Sequence, residues 1–481
     1  MKIYKSTGLS LGLILFLVLF TNCRKEEQIY DNADAKLQFS TEIVAFDTVF
    51  STITTSTRQL MVYNPYSKAI KISSITLAGG TQSAFSINVD GKAGVQFTDV
   101  EIRPKDSLYV FIQANINPSN QNNPFLITDS IIFRTNGNIQ DVDLVAFGQD
   151  ANFIVADTYR SGLPPYKIVS NVGESVVWDN SKPYVIYGYA VVDSAASLQI
   201  QAGAKIYLHK NSGIWIYKGG NLKVNGTKDQ KVLFRGDRPE AWYTDAPGQW
   251  DRIWINEGSQ DNVINHAIIR NSFIGIQAET LENPMGNKLI LENTEIINAS
   301  GIGLFSRNYN INATNNVIAN CGQYCVALTY GGTYNFIHNT IANYWSESIR
   351  QTPAFYFNNY IVSNNVVYAK NLNLTFANSI IFGNNINEFE MDTIPQSTVN
   401  YIFDHSILKA ESNFSNNSAF VNCKRNSNPS FRDYANQNFE LLPSSPAIDA
   451  GNTLYVPFAP IDKNEVPRIG TPDMGAFEFS R

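Results

Sequence analysis

Charge is scarce in this sequence. Asp, Glu, Lys and Arg together make up 16% of 481 residues, and the formal net charge is −6. Nucleic acid as the main partner is excluded on that ground, because phosphate neutralisation needs clustered Lys and Arg. Cysteine is nearly absent, at four residues. Cys321, Cys325 and Cys423 lie in the body of the chain, and an odd number there gives no even disulfide framework. Cys321 and Cys325 are close enough in sequence to bridge, or to serve as small buried thiols. The histidines His209, His266, His338 and His405 are scattered, and no Cys/His spacing marks a zinc or other metal site. Aspartate is missing from 262 to 391. Glycoside hydrolysis by paired carboxylates needs two acids on neighbouring segments, and Glu279, Glu282, Glu292, Glu295 and Glu347 form no pair that recurs at a fixed spacing. The apolar run Gly8 to Phe20 falls short of the ~20 residues that span a bilayer.

What the chain does have is 44% hydrophobic residues and 55 asparagines, enough for a large core under an uncharged polar surface. Lys2 and Lys5 before the apolar run, and Phe20-Thr21-Asn22-Cys23 after it, read as a secretion signal over 1–22. The ending resembles the lipobox of bacterial lipoproteins. That resemblance implies cleavage before Cys23, acylation of Cys23 and a lipidated tether over 23–34, since two or more acyl chains anchor stably. Arg24-Lys25-Glu26-Glu27 is similar to the short tags that send some Gram-negative lipoproteins to the outer face of the outer membrane.

Residues 35–150 read as strand after strand. Leu108, Val110, Ile112 and Ala114 alternate onto one face, and 69–72, 129–133 and 142–145 behave alike. Asn64-Pro65, Gly79-Gly80, Asp90-Gly91 and Asn136-Gly137 punctuate them. The order resembles immunoglobulin-like β-sandwich modules of exported proteins, with a spacer role implied.

From 165 to 415 the chain repeats itself. Leu198 and Ile200, then Ala204, Ile206 and Leu208, then Ile214 and Ile216, then Leu222 and Val224 fall on a period of two. A looser unit ends at Asn271, Asn298, Asn320 and Asn343, in steps of 27, 22 and 23 residues. Such a step is one coil of a stacked solenoid, with Ile269, Ile296, Ile318 and Ile341 as its inward stripe. Asn and Gly tolerate the left-handed backbone of tight corners, and stacked Asn side chains can form hydrogen-bonded ladders. The pattern resembles the right-handed parallel β-helix proteins of the pectate-lyase-like superfamily, so the expected fold class is all-β: an immunoglobulin-like β-sandwich, a right-handed parallel β-helix and a C-terminal cap over 416–481. In that cap, Asp449, Asp462, Arg468, Asp473 and Glu478 are expected to cover the last coil and not to form a catalytic site.

That superfamily hosts lyases, hydrolases and inert spikes, so activity needs a site of its own. The polygalacturonase-type motifs Asn-Thr-Asp, Asp-Asp and Gly-His-Gly are absent. A loop over 234–254 interrupts the coil pattern and gathers Arg235, Asp237, Arg238, Trp242, Tyr243, Asp245, Trp250, Asp251 and Arg252. Aromatic faces stack on sugar rings and Arg pairs with carboxylates, so a glycan is expected here. The leading expectation is a surface lipoprotein that binds a polysaccharide or other cell-surface polymer without catalysis. The alternatives are a polysaccharide lyase, for which Ca²⁺ would be the implied cofactor, and a purely structural or adhesive component.

Overall fold

The computed structural model describes residues 28–50, 57–115, 125–238, 243–282, 288–414 and 416–480. Cys23 and the signal lie outside the described residues, as does Trp242. The chain divides into two units, 1–149 and 150–481.

In the first unit the alternating segments form two five-stranded sheets. One holds Arg58–Tyr63, Phe85–Val89 and Ser107–Ala114; the other holds Ile70–Leu77, Phe125–Thr135 and Asn138–Gln149. Pairing is antiparallel except where Asn138–Gln149 lies parallel to Ile43–Phe50. Leu108, Val110, Ile112 and Ala114 are all buried and share one core with Ile72, Ile75, Ile131, Phe133 and Leu144 from the facing sheet. Asp90-Gly91 and Asn136-Gly137 both take positive φ, as two-residue hairpin turns demand.

The second unit is a right-handed parallel β-helix. Each coil contributes one strand to each of three faces, as in Tyr189–Val192, Ser197–Gln201 and Lys205–Leu208. The first two faces belong to one 17-stranded sheet bent along its length; the third is an 11-stranded sheet. The third face begins at Asn152–Val155 and ends at Lys424–Arg425, so coils extend beyond 165 and 415 at both ends. Phe234, Ile269, Ile296, Ile318, Ile341, Ile381 and Leu408 stack in register, all fully buried. In the later coils Phe336, Phe355, Phe357, Phe376, Phe389 and Phe403 fill the interior with ring centroids 4.8–6.3 Å apart. Two insertions explain the long step after Asn343: a loop over 344–354 and a hairpin, Tyr360–Ser363 with Val366–Ala369.

The corner between the second and third faces repeats one device. His266, Asn293, Asn315, His338, Asn378, His405 and Asn422 occupy it, all with φ between 43° and 55°. Asn and His enter this left-handed region more readily than most residues. In five of these coils the next residue, Thr294, Asn316, Asn339, Ser379 or Ser406, turns a small polar group inward. The Thr294 N–H donates to Asn316 Oδ1 (2.9 Å), Asn316 N–H to Asn339 Oδ1 (3.0 Å), Asn339 N–H to Ser379 Oγ (2.9 Å) and Ser379 N–H to Ser406 Oγ (3.2 Å). A second, more exposed amide ladder joins Asn335 to Asn312 and Asn400 to Asn373. His266 and His338 are structural corner residues, and His405 joins them.

The C-terminal segment departs from expectation. It lies along the third face over several coils and is not confined to the last one. Val317, Ala319, Ala342, Ile380 and Phe382 point outward there and are covered by Phe431, Phe439, Leu441, Met474 and Ala476. Polar contacts fix the segment at several coils: Lys463 Nζ to Glu295 Oε1 (2.6 Å), Ala476 N–H to Thr340 Oγ1 (3.0 Å) and Asn452 N–H to Asn378 Oδ1 (2.7 Å). Its carboxylates serve structure. Asp462 accepts the N–H groups of Val466 and Glu478, and Asp473 those of Asp449 and Phe479. Arg468 is buried between His338 and Glu478.

Two predictions follow from these contacts. Asn339→Ala strips the corner ladder of an acceptor and leaves the Asn316 N–H unpaired in the core, so denaturant unfolding should show a loss of roughly 2–4 kcal/mol. Asn335→Ala, on the exposed ladder, should cost less than about 1 kcal/mol. The second concerns pH. Burial, with Asp473 next, raises the Glu478 carboxyl from its ordinary 4.5 to about 7. The docked segment therefore binds this proton more tightly than the open one, and docking weakens as pH rises toward and past 7. Burial and Arg468 hold His338 well below its ordinary 6.5, which acts in the opposite sense as pH falls. Glu478→Gln should slow hydrogen exchange over 473–479 relative to the parent at pH 8 and match it at pH 5.

Candidate functional site

The loop residues singled out in the sequence do not form one site. Arg235 and Asp237 end a third-face strand, and Asp237 meets His209 of the coil before (Nδ1 to Oδ2, 2.8 Å). His209 stacks on Tyr187 of the coil before that, at 4.5 Å. Burial, then the Asp237 charge, pushes the Tyr187 phenol up. Arg235 donates to the Arg238 carbonyl at 3.0 Å, and Arg238 lies over the Tyr243 ring at 4.5 Å.

Asp251 and Arg252 lie on the first face. Tyr189 donates to Asp251, Arg252 pairs with Asp251 at 2.9 Å, and Arg252 reaches Gln277. Beside them Trp215 and Trp254 stack at 5.0 Å, and Trp254 Nε1 donates to Glu279 at 2.7 Å. Trp250 is a correction to the expected glycan platform. It is 1% exposed, belongs to the solenoid core and donates its ring N–H to the Arg270 carbonyl at 2.9 Å. Its size made it legible as an aromatic, but the coil needed it inside.

Of the described residues singled out in the loop, Asp245 alone enters a groove. The corner between the third and first faces aligns Asn271, Asn298, Asn320 and Asn343 by strand register, the four residues that set the repeat steps. Loops leave this corner after 236, 343 and 383, and between them lies a cavity of about 440 Å³. Asn298 and Asn320 line it from successive coils, and Asn384 from two coils further on. Tyr344, Trp345 and Glu347 come from the loop, and Tyr434 and Gln437 from the C-terminal segment. Tyr344 and Tyr434 stack at 4.1 Å. Asp245 is held by Arg270 and by Gln437 Nε2 (3.2 Å). None of Tyr344, Trp345, Tyr434 and Gln437 was expected from the sequence. The aromatic pair Tyr344-Trp345 directly after a repeat-ending Asn was the available signal.

A buried ion pair holds that loop. Arg350 donates to both oxygens of Glu388, at 2.7 Å to Oε2, and Ala354 N–H (2.9 Å) and Asn385 N–H (2.8 Å) fill the remaining lone pairs. Burial raises the Glu388 carboxyl, and Arg350 opposes that shift. Glu388 escaped the sequence reading of acidic residues. Cys321 and Cys325 are fully buried free thiols in the same core, and burial together with Cys321 pushes Cys325 up. Among the described residues no group of three or more His, Cys, Asp or Glu side chains gathers as metal ligands.

Residues 170–271 match the family model of the pectate-lyase like beta helix domain. The match covers the early coils, where period-two alternation is cleanest. Among solved structures, a family 123 glycoside hydrolase from Clostridium perfringens is similar at 8% identity with a TM-score of 0.18. The likeness covers 24% of this chain and 27% of that one, and carries no argument. No curated protein matches the chain.

Losing either partner of the Arg350–Glu388 pair strands a buried charge, so Glu388→Ala and Arg350→Ala should each cost about 3–5 kcal/mol in denaturant unfolding. The double variant should cost well under the sum of the two.

Proposed function

We propose that this protein is an exported lipoprotein, acylated at Cys23 and displayed on the outer face of the outer membrane, whose β-helix binds an extracellular polysaccharide along the corner groove. The 28–149 sandwich is then an immunoglobulin-like spacer. The observation that carries the reading is the direction of the groove. Its Asn residues come from different coils, Asn298 and Asn320 ~4.8 Å apart and Asn384 two coils further on, so the lining runs along the solenoid axis as a linear polymer does. Tyr434 and Trp345 offer ring faces for sugar stacking.

A catalytic reading has one observation in its favour. The carboxylate of Asp237 orients His209 through Nδ1 and leaves Nε2 without a partner among the described residues, an arrangement suited to a general base. In a lyase it would take the proton beside a uronate carboxylate.

One experiment addresses both readings. Cells displaying the protein are offered immobilised polysaccharides; the parent should bind at least one, and Trp345→Ala should weaken binding at least roughly tenfold. Cys23→Ser should release the protein from the membrane fraction. Retained binding by Trp345→Ala would leave a structural or adhesive role. Unsaturated uronate product from the parent, lost in His209→Ala, would make the protein a lyase.

A further inference from the structure

Resting on the groove as the polymer site, we infer that its ligand is an uncharged, hydroxyl-rich glycan and that polyuronates are rejected. Among the described residues, the ionisable carboxylates lining the groove are Asp245 and Glu347, and no Lys, Arg or His lines it. The cations of neighbouring coils are committed elsewhere. Arg270 is bound to Asp245, Arg350 is buried on Glu388, and Lys409 Nζ donates to the Gly383 carbonyl. A polymer carrying a carboxylate on every ring would meet the uncompensated Glu347 carboxylate, beside an Asp245 already neutralised by Arg270, with no free cation among the described lining residues to receive it, and like charges at contact distance disfavour binding.

The same lining suits hydroxyl groups. The Nδ2 group of Asn320, the side-chain amide of Asn384, the Ser346 hydroxyl and the Glu347 carboxylate have no partner among the described residues. They offer donors and acceptors together, which is what a sugar hydroxyl needs because it both gives and takes a hydrogen bond. Trp345 keeps its ring N–H on Ser348 Oγ at 2.9 Å, which fixes the indole in the wall. Asn320 Oδ1 accepts the Tyr344 N–H at 3.1 Å and fixes the adjacent ring.

The test uses the full chain in detergent with two sets of probes. Mannan, xylan and dextran are the neutral set; polygalacturonate and alginate are the anionic set. At least one neutral polymer should bind at least roughly tenfold more tightly than either polyanion. Its affinity should change less than about twofold between about 50 and 500 mM salt, because screening acts on charge. Glu347→Lys should narrow or invert the ratio, with polyuronate binding gained about tenfold and made salt-sensitive. A parent protein that prefers a polyuronate, with that binding lost in Trp345→Ala, keeps the polymer site and overturns its charge selectivity. An unchanged ratio in Glu347→Lys also overturns it. Failure of the parent to bind any polymer in either set removes the site itself and the inference with it.

Discussion

The structure depends on how a coil turns its corner. Between the second and third faces the chain enters the left-handed region, at a cost of roughly 1–2 kcal/mol for an ordinary residue and less for Asn. The turn leaves a backbone N–H facing inward that its own coil cannot satisfy. Thr294, Asn316, Asn339, Ser379 and Ser406 solve this across the stack, each side chain accepting the N–H of the coil before. A buried polar group is tolerated only when bonded, so the register between coils is fixed by these bonds as firmly as by the aliphatic columns. A slip of one residue would orphan every member of the ladder at once.

Fixed corners have a consequence for the surface. Because Asn271, Asn298, Asn320 and Asn343 stand in register, loops of unequal length all leave the solenoid along one line. The loops can then vary without disturbing the coils, and a groove arises where two of them stand apart. Length alone would leave such a loop mobile. The 344–354 loop is instead tied under itself by Arg350 and Glu388; Asn343, Thr352, Ala354 and Asn385 fill four further hydrogen-bond sites of the pair, and the buried Arg350 Nε–H has no partner among the described residues. The ion pair is internal to the solenoid, yet its effect is to hold Trp345 and Glu347 in one place at the surface.

The repeat was legible because period-two alternation and the left-handed residue types are local properties. Ile269, Ile296, Ile318 and Ile341 could be assigned inward from their spacing, and the Asn steps gave the coil length directly. Other features depended on what the coil meets in space. Trp250 reads as a solvent-facing aromatic among charges, but its position three residues before a first-face strand, bridged to Ser272, places it in the core. The C-terminal segment reads as a lid because its turns are polar. Its true place was encoded elsewhere, in third-face strands such as Val317–Ala319 and Ile380–Gly383 that are apolar on both sides and so must be covered on both. The groove was least legible, since Asp245, Trp345 and Tyr434 lie up to 189 residues apart and nothing local marks them as neighbours.

The cover and the groove turn out to be one construction. The segment that hides the apolar outer surface of the third face also carries Tyr434 and Gln437 to the groove wall. There Tyr434 stacks on Tyr344, and Gln437 bonds to both Arg270 and Asp245. Docking is driven by burial of Phe431, Phe439, Leu441 and Met474, a contribution far larger than any single polar contact at the groove. The hydrophobic effect at the flank therefore supplies the order at the surface, and a ligand meets a wall whose conformational entropy has already been lost. In the proposed polymer site, selectivity would rest on which charges remain unpaired after folding: Arg270 and Asp245 neutralise each other, and Glu347 is left.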